Sequence, residues 1–160
     1  MAKNNSLNIV LLIVIIASGF GREYLMVNIN WVIKHLSLGA PNYSQGFFSP
    51  LLKWTVSEIN TLKWLLTILF TIYFFTLTYL LIKSLHPTSK KYQKITVLTY
   101  LLIVLVSGGV FMLGYFTGKG HELYPTVRTL MGLAQSFIPL MVLYLLFKFI
   151  PNKNGHSIKE

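Results

Sequence analysis

The chain contains no cysteine, which excludes disulfides, thiolate metal ligands and cysteine nucleophiles together. Acidic residues are nearly as scarce: four stand against 14 basic ones, for a formal net charge of +10 over 160 residues. Charge of either sign makes up only 11% of the chain, where soluble domains carry roughly 25%. A surface so poor in charge cannot face water on every side. Three catalytic or ligand-binding signatures are also missing: a Ser-His-Asp order, a cluster with metal-ligand spacing and a glycine-rich phosphate loop. No cofactor is expected. The cations are scattered between apolar spans rather than gathered into a patch, so nucleic acid is not an expected partner.

What is present is apolar sequence, 54% of all residues. A helix needs roughly 20 such residues to cross the hydrocarbon core. The runs at 62–82, 95–117 and 129–150 meet that length. The first run, from Leu7 to Phe20, meets it only if the helix continues through Gly21 to Met26. It is read as a retained span rather than a cleaved signal peptide, because Phe20 and Arg22 interrupt a small-x-small cleavage pattern. The expected fold is therefore an all-α integral membrane protein, one domain with four transmembrane helices at about 7–26, 62–82, 95–117 and 129–150. Residues 27–61 form an extracytoplasmic loop, and 151–160 form a cytoplasmic tail.

Orientation follows from the loops. The 83–94 connection holds Lys83, Lys90, Lys91 and Lys94 without an acid. Short, purely basic loops stay cytoplasmic, so both termini are expected in the cytoplasm. Anionic headgroups are natural partners for the excess charge. In the long loop, 24–38 reads YLMVNINWVIKHLSL, too apolar for water and too polar to span. It is expected as an amphipathic segment lying in the interface, or as a cap packed back over the bundle. Trp31, Trp54 and Trp64 suit an aromatic belt at that surface.

The polar residues that remain gather at the outer face. Arg22 and Glu23 follow the first span, Glu58 and Lys63 precede the second, and His121, Glu122 and Arg128 surround the start of the fourth. If the last helix begins near Pro125, Arg128 and Gln135 share one face, with Gly132 between them leaving space beside the arginine. Polar groups entering a membrane are a functional hypothesis by default. Arg22, Glu23, His121, Glu122, Arg128 and Gln135 are therefore candidates to line a cleft for an anionic or peptide ligand. The plainer alternative is that Arg22 pairs with Glu23 or Glu122 to fasten helix ends. Gly114 with Gly118, and Gly132 with Ser136, are small pairs four apart that allow close helix packing. They are expected to act inside the chain rather than as a dimer seam, with self-association left open. Pro139 is expected to kink the last span.

Several features in order also resemble a family of small exosortase-associated membrane proteins of Bacteroidetes. They are the apolar first span ending in GREYLM, a long outer loop closing with Leu-Lys-Trp and a short basic turn. Last come YPTVR at 124–128 and the proline-bearing QSFIPLMVLYLLFKF. Where that family carries a doubled arginine before the last span, this chain has Arg128 alone. The resemblance implies an accessory to a membrane cysteine transpeptidase that processes sorting signals during export, with no activity of its own. Arg22, Glu23 and Arg128 would then contact another integral membrane protein. The competing expectations are a small transporter or channel subunit with a polar path near Arg128 and Gln135, and, least favoured, a lipid-modifying enzyme using His121 or Glu122.

Overall fold

The computed structural model describes residues 2–149; Met1, residues 150–160 with the expected tail, and the side chains at 2–5 and 121 lie outside that description. The described chain has helices α1 (Ala2–Leu38), α2 (Val56–Leu85), α3 (Lys90–Phe116), α4 (Gly120–Ala134) and α5 (Ile138–Phe149). A 3-10 segment, Gly46–Lys53, lies between α1 and α2, and no strand occurs among the described residues. Three helices are long and apolar enough to cross a membrane, or four if α4 and α5 together make one bent span. In the apolar windows of α1, α2 and α3, between 11% and 22% of residues are buried inside the protein. So much exposed aliphatic surface requires lipid around it.

The separate interfacial segment expected at 24–38 is not separate: α1 runs without interruption from Ala2 to Leu38. No proline occurs in this stretch, and Leu25, Ile29, Val32, Ile33 and Leu36 keep an apolar face at helical spacing. The helix ends only at Gly39, whose φ of 64° suits the left-handed position that closes a helix. Its 37 residues reach roughly 55 Å, well beyond a hydrocarbon core of about 30 Å. The excess is covered by the loop, as in the cap alternative. Ile29 and Val32 of α1, Phe48 of the 3-10 segment and Ile59 of α2 form a buried cluster. Asn28 fastens the loop there, accepting a hydrogen bond from Gln45 N at 2.8 Å. Thr55 and Glu58 then cap α2 reciprocally. The Thr55 backbone N–H and its hydroxyl hold this exposed carboxyl below the usual carboxylate range, outside the apolar run that begins at Leu62.

A second cluster fills the opposite half of the bundle. Ile15 of α1, Phe74 and Leu81 of α2, Tyr92 of α3, and Leu140, Leu143 and Phe147 of α5 belong to one buried cluster. Tyr92 and Phe147 stack with centroids 4.3 Å apart. Between α2 and α3, the Thr78 and Tyr100 hydroxyls are 3.0 Å apart.

The last expected span, 129–150, differs most from the observed one. Its helix starts earlier, at Gly120, so Pro125 sits inside α4. It then stops at Ala134 and resumes at Ile138, with a 60° bend between the two pieces. Pro139 has no N–H to donate to the carbonyl of residue 135, and its ring would clash there. The kink expected from Pro139 is thus a complete break. Ser136 lies in it, accepting from Ile138 N at 3.2 Å, so it caps α5 and does not form a packing pair with Gly132.

Gly114 and Gly118 also part company. Gly114 is buried, and a Cβ there would lie 3.4 Å from Gly120 Cα and from Leu123 Cβ. Gly118 lies beyond the end of α3 with φ of 68°, turning the chain into α4. The two glycines should therefore respond differently to substitution. Gly114→Ala adds only an ordinary van der Waals contact and is expected to be near neutral. Gly118→Ala forces a left-handed side-chain residue, at a cost of about 1–2 kcal/mol. Gly114→Leu overpacks the α3–α4 contact by about 1–3 kcal/mol. Unfolding midpoints of the three variants in one detergent check the order.

Candidate functional site

Between the two clusters, α1, α2 and α4 leave a cleft open toward the α1–α2 loop. Each helix brings polar groups to it at helical spacing: Arg22 and Asn30 from α1, Lys63 and Thr67 from α2, Arg128 and Gln135 from α4. The narrow part encloses about 70 Å³. It widens into a vestibule of about 710 Å³, walled by Trp31, Trp64 and Tyr124 and by the cations Lys34, Lys63 and Arg128.

Gln135 organises the floor. The break that ends α4 leaves its side chain 1% exposed and aimed at the neighbouring helices. Its Oε1 accepts from Arg22 Nε at 3.1 Å. Its Nε2 donates to Thr67 O at 2.8 Å and to Thr71 Oγ1 at 3.0 Å. One amide thus joins three helices, and every polar atom of it is used. The Arg22 guanidinium meanwhile donates from Nη1 to Glu23 Oε2 at 2.8 Å. This is the one ion pair among the described residues, and it matches the plainer expectation for Arg22. Gly132 keeps room for this arginine rather than for Arg128, since a Cβ at 132 would lie 3.8 Å from Arg22 Nη2.

Higher in the cleft, Lys63 Nζ donates to Asn30 Oδ1 at 2.8 Å. Arg128 is within electrostatic reach of both Arg22 and Lys63. It has no hydrogen-bond or ion-pair partner among the described residues. Three cations thus face one carboxylate in the narrow part, and no carboxylate lines the vestibule. Isolated positive charge beside a hydrocarbon phase is unfavourable, so an anionic group placed in the cleft would relieve it. Aromatic walls and the Asn30 and Asn60 amides add surfaces for the rest of a ligand. Nothing in the cleft pairs a nucleophile with a base.

Arg22, Glu23, Arg128 and Gln135 of the expected set line this cleft. Glu122 does not: it is exposed in the first turn of α4, where a carboxylate favours the helix dipole. Six residues separate it from Arg128, which at about 100° per residue turns it to another face. The backbone of His121 lies in the same turn; its side chain is among those not described.

Sequence reasoning sets Lys63 at the outer face but not in the cleft, and misses Thr67 and Thr71 as members of the site. Their signal is a polar residue every fourth position within an otherwise apolar helix, which sets them on one face. Comparison with protein-family models, with curated proteins and with solved structures finds no match to this chain.

Proposed function

We propose that this chain is a non-enzymatic, multi-pass accessory protein of the bacterial inner membrane. It docks another integral membrane protein by receiving an acidic group of that partner in the cleft. In this reading α4 and α5 together make the fourth span, both termini are cytoplasmic, and the cleft opens on the outer face. The carrying observation is the uncompensated positive charge: Arg128 unpaired, Lys63 held only by a neutral amide, and Glu23 already engaged by Arg22. The resemblance of GREYLM and YPTVR to the exosortase-associated family names the partner to test first, a membrane transpeptidase of that type.

The transporter reading has less support. Just past Gln135 the described helices close over Ile15, Phe74, Leu140 and Leu143, so the polar groups of the cleft end at a packed apolar plug.

A photo-crosslinking residue at position 124, at the vestibule wall, tests the proposal in native membranes. The expected result is one discrete adduct with a membrane protein, repeated from position 60 and absent from position 105 on the opposite, lipid-facing side of α3. Equal labelling from 124 and 105, or lipid adducts alone, overturns it.

A further inference from the structure

A second groove, a shallow open trough of about 440 Å³, lies at the other end of the bundle, on the outside of the α2–α3 hairpin. Its rim is Lys90, Gln93 and Lys94, and its walls are Val97, Leu98 and Leu101, all from α3. Tyr79 closes it from α2. The spacing 90, 94, 97, 98 and 101 places these residues on a single stripe of the helix. That stripe is cationic for its first turn and aliphatic for the next two. From Lys90 to Leu101 it extends roughly 16 Å, about half of a hydrocarbon core of roughly 30 Å. Its aliphatic part, Val97 to Leu101, rises about 6 Å beyond the lysines, which is the upper part of one leaflet.

The charge around the rim is of one sign. Lys83, Lys91 and Lys148 stand near the same end of the bundle. The described acids, Glu23, Glu58 and Glu122, belong to the other end. Neither Lys90 nor Lys94 has a hydrogen-bond or ion-pair partner among the described residues. The aliphatic walls are exposed in the protein itself, with Leu98 at 62%. A ligand for this groove must therefore be anionic at one end and apolar immediately beyond it.

We propose that the groove is a binding site for one anionic glycerophospholipid, its headgroup phosphate held by Lys90 and Lys94 with the Gln93 amide. An acyl chain lies along Val97, Leu98 and Leu101. The site is independent of the outer cleft and of any partner docked there. Its effect is to fix the α2–α3 hairpin at the membrane surface by a specific lipid, beyond the diffuse attraction of basic loops to anionic leaflets.

Native mass spectrometry of the full chain, purified with phosphatidylglycerol and phosphatidylcholine in equal amounts, reads the site directly. The wild type is expected to retain one phosphatidylglycerol in preference. A lysine near an anionic lipid contributes roughly fivefold in affinity, so Lys90→Gln with Lys94→Gln should lower retention by about 25-fold. Lys91→Gln, in the same turn but off the groove, should leave the preference intact. Leu98→Trp fills the groove with both lysines kept and should also expel the lipid. Equal retention of the two lipids by the wild type overturns the proposal. So does a Lys91→Gln loss as large as that of the double variant, since diffuse surface charge would then suffice. Undiminished retention in Leu98→Trp, or a second copy of the chain seated in place of lipid, overturns it as well.

Discussion

Replacing Gln135 with leucine should destabilise the protein by about 3 kcal/mol, although the shape is nearly kept and no charge is removed. The amide makes two neutral hydrogen bonds, to Thr67 O and Thr71 Oγ1, and one to the Arg22 guanidinium. Neutral side-chain bonds inside membrane proteins average about 0.6 kcal/mol each. A bond to a charged group contributes about 1.5–3 kcal/mol. The larger part of the loss thus comes from Arg22, which would keep Glu23 but lose its hydrogen bond to α4. Two companion variants separate the parts. Thr71→Val removes two neutral bonds, the one accepted from Gln135 Nε2 and the one donated to Thr67 O, and should cost about 1.2 kcal/mol at about 0.6 kcal/mol each. Arg22→Met with Gln135→Leu should cost at least about 1 kcal/mol less than the two single changes summed, because both delete the same bond. Equilibrium unfolding in mixed micelles reads all four. A Gln135→Leu protein within about 0.5 kcal/mol of wild type would show that the amide is a bystander to the fold.

That network marks the boundary of what the sequence discloses. The apolar runs were legible, because lipid solvation selects long hydrophobic segments wherever they pack. The polar cluster was legible for a related reason: charge is so rare in this chain that Arg22, Glu23 and Arg128 stand out without a structure. Continuity was not legible. Residues 24–38 have the composition of an interfacial helix, and only a contact from Phe48 and Ile59 distinguishes a separate element from a long one held upright. The role of Pro139 was half legible, since the missing N–H announces a disturbance but not whether it ends as a kink or a break. Gly118 misled through spacing alone; four residues from Gly114 puts it on the same face only if the helix continues that far. Thr67 and Thr71 were hidden because their hydroxyls satisfy backbone carbonyls, at 2.8 and 2.7 Å, and so sit unremarked in an apolar run. The bonds from Gln135, to the Thr67 carbonyl and the Thr71 hydroxyl, depend on a neighbour 64 or more residues away.

Reversing the charge at Arg128 should abolish partner capture while leaving the fold alone. Arg128 is exposed and unpaired among the described residues, so its loss removes no internal contact, and substitutions of that kind stay within about 0.5 kcal/mol in stability. In a docked complex the same side chain lies under the partner, where truncating one member of a charge pair costs about 2–5 kcal/mol. Arg128→Ala should therefore weaken the crosslinked complex at least about 30-fold, and Arg128→Glu should remove it, since the new carboxylate would repel the acid it replaces a cation for. Arg128→Lys keeps the charge but not the planar fork of donors, and belongs between wild type and alanine. Lys34→Glu supplies the contrast. Its ammonium already lies 4.9 Å from the Trp31 ring centroid at the mouth of the vestibule, where screening is strong, so only a few-fold loss is expected, and one that shrinks further with added salt. If Arg128→Glu and Lys34→Glu weaken capture equally and both effects vanish in salt, the partner is steered by the surface as a whole and does not enter the cleft. If Arg128→Glu captures as well as wild type, the unpaired arginine is not a docking group at all.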